Sequence, residues 1–191
     1  MEGRSISAEA GHALAANSYH LLRSALLLVL AVAVQLLGWP QLITGTVVNA
    51  VLLAAALTSP PLYGASVGVL TPVVALARGI IPPPAAPMVP FIAAGNALLV
   101  LVFWGFHRAG RRFGWRWASW LGAGVAAALK AAFLGYAATH LVTVPAPVAG
   151  MMQGPQLVTA LAGAVMVLGL GPAVQQGLGR LFGWASPRVS P

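Results

Sequence analysis

Residues 87–117 read PMVPFIAAGNALLVLVFWGFHRAGRRFGWRW, an apolar run that follows a proline-rich approach and ends in a group of arginines. The apolar part, Met88 to His107, is 20 residues long, and an α-helix needs about 20 to cross the hydrocarbon core of a bilayer. The pair Gly95–Asn96 interrupts it. The arginines at its end are Arg108, Arg111, Arg112 and Arg116. This stretch therefore predicts a membrane span with one end marked by positive charge.

The composition of the whole chain agrees with a membrane protein. Of its 191 residues, 59% are hydrophobic and 6% are charged, whereas a soluble domain carries about 25% charged residues. Ten Lys and Arg residues oppose two acids, Glu2 and Glu9. The basic residues lie mainly at the edges of apolar runs, which indicates membrane topology and not nucleic-acid binding. The chain has no cysteine, so disulfides and thiolate sites are excluded.

The chain contains six apolar runs, each about as long as a membrane-spanning helix. They are Leu21–Gly38, Leu42–Leu57, Leu62–Ile81, Met88–His107, Ala118–Leu141 and Pro155–Leu178. We therefore predict an all-α membrane protein, a six-transmembrane-helix bundle formed by residues 22–178. Residues 1–21 are predicted to be a leader that can lie at the membrane surface, and residues 179–191 a short polar tail.

The distribution of arginine predicts the orientation of the bundle. If six helices alternate, the basic residues before the first run, between the fourth and fifth runs and after the sixth run all lie on one side. By the positive-inside rule both termini are cytoplasmic and the protein lies in the plasma membrane. Arg78, at the outer edge of the third run, is the exception. Either it extends to the outer headgroups or it contacts an anionic ligand.

A short internal repeat marks the start of two runs. Residues 40–44 read PQLIT and residues 155–159 read PQLVT, and each copy follows a predicted outer loop. Proline suits the first turn of a helix, so the repeat is either common helix-start chemistry or a duplicated corner that faces a substrate. In the second case its polar side chains Gln41, Thr44, Gln156 and Thr159 are binding candidates.

Asn49, Asn96 and Lys130 are the polar residues that lie deepest within the predicted spans. An asparagine in a span can bind a ligand or simply bond to a neighbouring helix. A charged lysine at mid-membrane costs about 2.5 to 3.5 kcal/mol even on insertion scales, and no span contains an acid to pair with it. Lys130 is therefore a structural lysine satisfied within a cavity, a lysine that extends to the interface, or the binding partner of an anionic ligand.

The lack of acids in the spans also limits the chemistry. It excludes carboxylate proton relays, paired-carboxylate hydrolysis and oxygen-rich metal sites within them. The four histidines are scattered, and no phosphate-binding loop of the Gly-x-x-x-x-Gly-Lys-Ser/Thr type occurs. We therefore predict that the chain is not an enzyme and holds no metal or cofactor, and that any energy for transport comes from another subunit.

Small residues four positions apart predict where helices pack closely. These pairs either serve packing within the bundle or dock a partner membrane protein. They are Gly64 with Gly68, Gly122 with Ala126, Gly124 with Ala128, and Ala160 with Ala164.

Three segments resemble a known family. The segments TGTVVNAVLLAAAL (residues 44–57), YGASVGVLTPVVALARGIIPPPAAPMVPFIAAGNALLV (63–100) and PQLVTALAGAV (155–165) resemble the substrate-binding S component of energy-coupling factor (ECF) transporters, in a vitamin-uptake-like branch. The resemblance covers roughly residues 22–175. It implies six helices that bind a micronutrient near the outer face, capped by the loops after helices one, three and five. It also implies assembly with a transmembrane coupling subunit and two cytoplasmic ATPases.

The chain departs from that family at one point. Many members carry Ala-x-x-x-Ala on the first helix for docking to the coupling subunit, whereas Ala25, Ala31 and Ala33 are not four apart. We still expect a micronutrient-binding membrane subunit of an ATP-driven importer. The alternatives are a self-sufficient permease or channel and a structural membrane subunit. The predicted pocket residues are Gln41, Thr44, Asn49, Arg78, Asn96, Lys130, Gln156 and Thr159, with the two cations attracting a carboxylate or phosphate.

Overall fold

The computed structural model describes the backbone of residues 2–171 and the side chains of residues 14, 15 and 17–171. This part of the chain is all-helical, as predicted, and contains no strand. The α-helices are α1 Glu2–Leu36, α2 Gln41–Thr58, α3 Pro61–Ala77, α4 Val89–Phe113, α5 Ala118–Tyr136, α6 Ala146–Met151 and α7 Gly154–Ala164. A 3-10 helix, Pro83–Met88, precedes α4, and π-helical turns continue α5 through Leu141 and α7 through Leu170.

Five helical segments are long and apolar enough to cross a membrane, so the chain is a multi-pass membrane protein. They are Asn17–Leu36, Gln41–Thr58, Pro83–Phe113, Ala118–Leu141 and Ala146–Leu170. The remaining apolar helix, α3, has 17 residues and a length of about 25 Å. The predicted third run extended to Ile81, but α3 ends at Ala77 because Gly79 turns the backbone into the left-handed region, with φ of 70°.

The predicted leader and the first apolar run form one helix. No proline separates them, and α1 continues unbroken from Glu2 to Leu36. The polarity change near residue 21 predicts where the helix becomes apolar, not where it begins. The predicted tail, residues 179–191, and the last part of the predicted sixth run lie outside the described residues.

The fourth predicted run is also longer than expected. It was predicted to end at His107, but α4 continues to Phe113 and closes at Gly114, whose φ is 70°. Most of the arginine cluster therefore lies on the last turns of the helix and not in the loop. Cations in this position interact favourably with the helix dipole, and the Arg108 guanidinium lies 5.5 Å from the ring of Trp104.

Close helix contacts hold the bundle together around α2 and α4. The α4 helix packs against α3 and α5, and α2 packs against α7. A Cβ added at Gly122 would lie 2.4 Å from Cβ of Phe106, whereas one added at Gly124 would meet nothing within 4 Å. The α5 interface therefore uses Gly122 with the fully buried Ala126.

The bundle has two distinct ends. Residues 37–40, 78–88 and 142–153 connect helices at one end, which we call the α6 end. Residues 59–60 and 114–117 connect them at the other, which we call the arginine end. The segment Thr143–Gly154, which connects the predicted fifth and sixth runs and whose prolines and glycines predict a loop, contains the short helix α6. It packs on the bundle through the buried Met152, which belongs to a small core with Met88 and Leu134.

Candidate functional site

A cavity of about 310 Å³ opens within the α6 end of the bundle. Its wall combines the C-terminal end of α1, the N-terminal ends of α2 and α7, and residues from α3, α4 and α5. The polar and aromatic side chains that line it are Gln35, Trp39, Gln41, Thr44, Asn49, Thr71, Asn96, Lys130 and Gln156. Ile80, Ile81, Ile92, Met151 and Met152 are among its apolar lining residues.

The structure brings most of the predicted site residues together. Six of the eight line the cavity: Gln41, Thr44, Asn49, Asn96, Lys130 and Gln156. Thr159 is buried directly behind Asn49 and is bonded to it. Arg78 is different. It is exposed just after the end of α3 and is not among the lining residues, whereas Ile80 and Ile81, which follow Gly79, line the cavity.

A series of three hydrogen bonds that starts at Lys130 lies at the inner end of the cavity, which we call the deep end and which lies away from the α6 end. Lys130 Nζ donates to Asn49 Oδ1 at 2.7 Å. Asn49 Nδ2 donates to Thr159 Oγ1 at 3.1 Å, and Thr159 Oγ1 donates to the backbone carbonyl of Gln156 at 3.2 Å. Lys130 is only 3% exposed and Asn49 only 2%. Because an ammonium can only donate, the amide of Asn49 is oriented with its oxygen toward the lysine.

Asn96 forms a second fixed point on the opposite wall. Its Nδ2 donates to the Gly68 carbonyl at 3.0 Å, and the residue is 3% exposed. A Cβ added at Gly68 would lie 3.1 Å from the backbone carbon of Asn96. The predicted small residue in α3 therefore lets the α4 backbone approach closely enough for this bond.

The opposite pair of helices, α2 and α7, approaches even more closely. A Cβ added at Gly163 would lie 2.7 Å from the backbone nitrogen of Ala50 and 3.1 Å from the backbone carbon of Asn49. A Cβ added at Gly45 would lie 3.0 Å from Thr159 Cγ2. These two glycines bring Asn49 within hydrogen-bond distance of Thr159. The contact of Gly163 was not predicted from the sequence, since a single glycine carries no pattern.

The two copies of the Pro-Gln-Leu repeat begin α2 and α7 at the cavity. Gln41 and Gln156 are equivalent in the repeat, and both line the cavity. The threonines make different bonds. Thr44 Oγ1 donates to the Trp39 carbonyl at 3.0 Å, whereas Thr159 belongs to the lysine network. The repeat thus gives two similar helix starts with different roles in the wall.

Beyond the polar network the bundle interior is filled. A buried core of Leu52, Leu99, Phe103 and their neighbours occupies the space between the network and the arginine end, and these three side chains are 0% exposed. Each follows a cavity residue by about one to two turns on its helix. The cavity is therefore closed at its deep end and open at the α6 end.

Several lining residues were not predicted from the sequence. Gln35 lies in the last turns of the first apolar run, and Trp39 in the connection after it. Met151 and Met152 come from the unpredicted α6 segment. A usable signal did exist for Thr71, because the pair Thr71–Pro72 is the one polar and proline-containing interruption in the middle of the third run.

Among the described side chains, residues 14, 15 and 17–171, no group of three histidine, cysteine or acidic residues is placed to hold a metal ion. The site is instead one lysine surrounded by amides, hydroxyls and apolar side chains. Such a cavity can bind and orient a small molecule. No family model, curated protein or solved structure matches the chain, so its function is inferred from this geometry and from the sequence.

Proposed function

We propose that this chain is the substrate-binding S subunit of an ECF-type importer, which captures a vitamin or related micronutrient at the outer face of the plasma membrane. The observation that carries the proposal is the closed-ended cavity of about 310 Å³, lined by fixed amides and one lysine. Small-molecule sites typically combine an apolar wall with a few well-placed polar groups, in about 300 to 1,000 Å³.

The positive-inside rule supports an outward-facing cavity. Arg108, Arg111, Arg112 and Arg116 lie near the arginine end. In contrast, Arg78 is the one Lys or Arg in the described connections of the α6 end. We therefore propose that the arginine end and both termini are cytoplasmic. This orientation requires six crossings, so α3 would complete the bundle as a sixth span, with its 17 residues covering about 25 Å.

The filled interior favours a binding subunit over a channel. A pore requires a continuous polar path, whereas Leu52, Leu99 and Phe103 close the bundle below Lys130. The sequence contains no nucleotide-binding loop that could drive a change of state. The energy for release toward the cytoplasm would then come from partners, and the sequence resemblance suggests a transmembrane coupling subunit with two ATPases.

Ligand retention and energised uptake test the proposal together. The full chain is purified in mild detergent, and native mass spectrometry measures any bound small molecule. We expect retention by the wild type and by Gln153→Ala, which removes an exposed amide outside the cavity. We expect loss in Asn96→Ala. Cells that express the chain with the coupling subunit and ATPases should accumulate the same molecule only when the ATPases are active.

Two outcomes would replace the proposal with a rival. Transport by the purified chain alone in liposomes would identify a self-sufficient permease or channel. Retention of no small molecule, together with no ATPase-dependent uptake, would leave a structural membrane subunit.

A further inference from the structure

We infer that the ligand of this cavity is a small molecule with one carboxylate, which Lys130 binds, and with hydrogen-bond donors on the rest of its body. This inference rests on the proposed function and specifies its substrate class. It follows from which polar atoms of the wall are already bonded and which remain free within the described residues.

The first step is the positive charge at the deep end. An ammonium has three N–H donors, and within the described chain Lys130 Nζ has one acceptor, Asn49 Oδ1. The protein has no acid after Glu9. The two acids lie on α1, Glu9 about 39 Å and Glu2 about 50 Å along the helix axis from Gln35 at the cavity. A charge that neutralises a protonated Lys130 would therefore come from a bound ligand.

The second step is the polarity of the remaining wall. Five lining side chains donate a hydrogen bond to a backbone carbonyl and keep their own oxygen as an acceptor: Gln35 to Ala31 at 3.0 Å, Thr44 to Trp39 at 3.0 Å, Thr71 to Val67 at 2.6 Å, Asn96 to Gly68 at 3.0 Å and Gln156 to Met151 at 3.3 Å. Above the lysine the wall thus offers these acceptor oxygens, and the amides of Gln35, Asn96 and Gln156 each keep one further N–H as a donor. A ligand that offers N–H or O–H groups there satisfies these oxygens.

The third step is the size and charge of the ligand. Since one water occupies about 30 Å³ of liquid, a cavity of about 310 Å³ has room for about ten waters, or a compact organic molecule of similar volume. A phosphate monoester carries a charge of about −1.5 to −2 at neutral pH. Lys130 is the one Lys or Arg among the lining residues, and Arg78 is exposed outside them. A singly charged carboxylate matches this site, whereas a phosphate would remain partly uncompensated.

A matched set of ligands and variants tests the inference. The probes are cyclic and aromatic monocarboxylates small enough to enter the cavity, such as 4-hydroxybenzoate, each paired with its uncharged primary amide. Thermal unfolding of the purified full chain in detergent measures binding. We expect the acids to raise the melting temperature and the amides to leave it unchanged.

The variants separate Lys130 from charge in general. Lys130→Gln should weaken acid binding by roughly 10- to 150-fold, as expected for losing a hydrogen bond to a charged group. Arg78→Gln removes one positive charge at the same end of the bundle and should leave the affinity for the acids unchanged. The comparison of acid with amide on the wild type stands even where Lys130→Gln fails to fold.

Three results would overturn the inference: amides that stabilise as well as acids, no stabilisation by any acid, or acid binding that survives Lys130→Gln. Its failure differs from failure of the proposed function. ATPase-dependent uptake of an uncharged molecule would reject the carboxylate inference, and the proposed importer function would stand. Acid-selective binding without ATPase-dependent uptake would reject the importer function, and the carboxylate inference would stand.

Discussion

Replacing Asn49 by leucine should expose how far the lysine depends on its one described partner. The substitution keeps the approximate shape of the side chain and removes two hydrogen bonds, to Lys130 at 2.7 Å and to Thr159 at 3.1 Å. A hydrogen bond to a charged group contributes about 1.5 to 3 kcal/mol, and one between side chains in membrane helices averages about 0.6 kcal/mol. Water in the cavity can rebind the ammonium, so we expect a net loss of about 2 kcal/mol.

A double-mutant cycle isolates the part of this loss that belongs to the lysine. In a Lys130→Met background there is no ammonium that could lose its acceptor, so Asn49→Leu should lower the free energy of unfolding by less than about 1 kcal/mol. The coupling free energy should therefore be at least about 1 kcal/mol. Unfolding in mixed micelles, with an increasing fraction of denaturing detergent, can be followed by the fluorescence of the six tryptophans.

The control is Asn96→Leu, which removes a buried amide that bonds to Gly68 and not to Lys130. Its cost should be the same in both backgrounds. If Asn49→Leu and Lys130→Met prove additive within about 0.5 kcal/mol, the 2.7 Å contact contributes nothing measurable. The deep end of the cavity would then need another description.

Two further predictions concern packing and orientation. Gly122→Ala should destabilise the bundle by about 1 to 3 kcal/mol through overpacking, and Gly163→Ala should destabilise it more because the added Cβ would meet backbone atoms. Gly124→Ala, whose added Cβ would meet open space, should be neutral or stabilising. Equal unfolding midpoints for the three variants would contradict the close contacts. The chain has no cysteine, so single cysteines can be introduced and labelled. A membrane-impermeant maleimide should label Pro84→Cys in intact cells but Arg112→Cys only after the cells are permeabilised. The reverse pattern would show that the cavity faces the cytoplasm.

The helices were largely predictable because in a bilayer the length of an apolar run is itself a structural constraint. The runs Leu42–Leu57, Met88–His107 and Ala118–Leu141 each have a corresponding helical segment, and so does the described part of the run Pro155–Leu178. The ends were less predictable. Hydropathy reports where a helix leaves the hydrocarbon, whereas α4 continues to Phe113 because nothing breaks it before Gly114.

The candidate site was predictable where polarity stood out against an apolar background. Asn49, Asn96 and Lys130 are conspicuous for that reason, and the structure brings all three to one cavity. Arg78 was equally conspicuous, but whether a cation at the end of a helix turns inward depends on the following residues. The role of Gly163 required coordinates, because it depends on the path of α2 past it.

The same contacts that hold the bundle together also position the polar groups of the cavity wall. Asn49 links α2 to α5 and α7 by hydrogen bonds, and Asn96 links α4 to α3. Each amide therefore both connects helices and forms part of the cavity wall. Substitutions there will change stability and binding together. Lys130 differs, because within the described chain two of its three donors have no acceptor. A carboxylate would complete this group without moving a helix. Ligand binding would thus remove the largest unmet electrostatic cost in the cavity, which is why a bound acid should stabilise the folded protein.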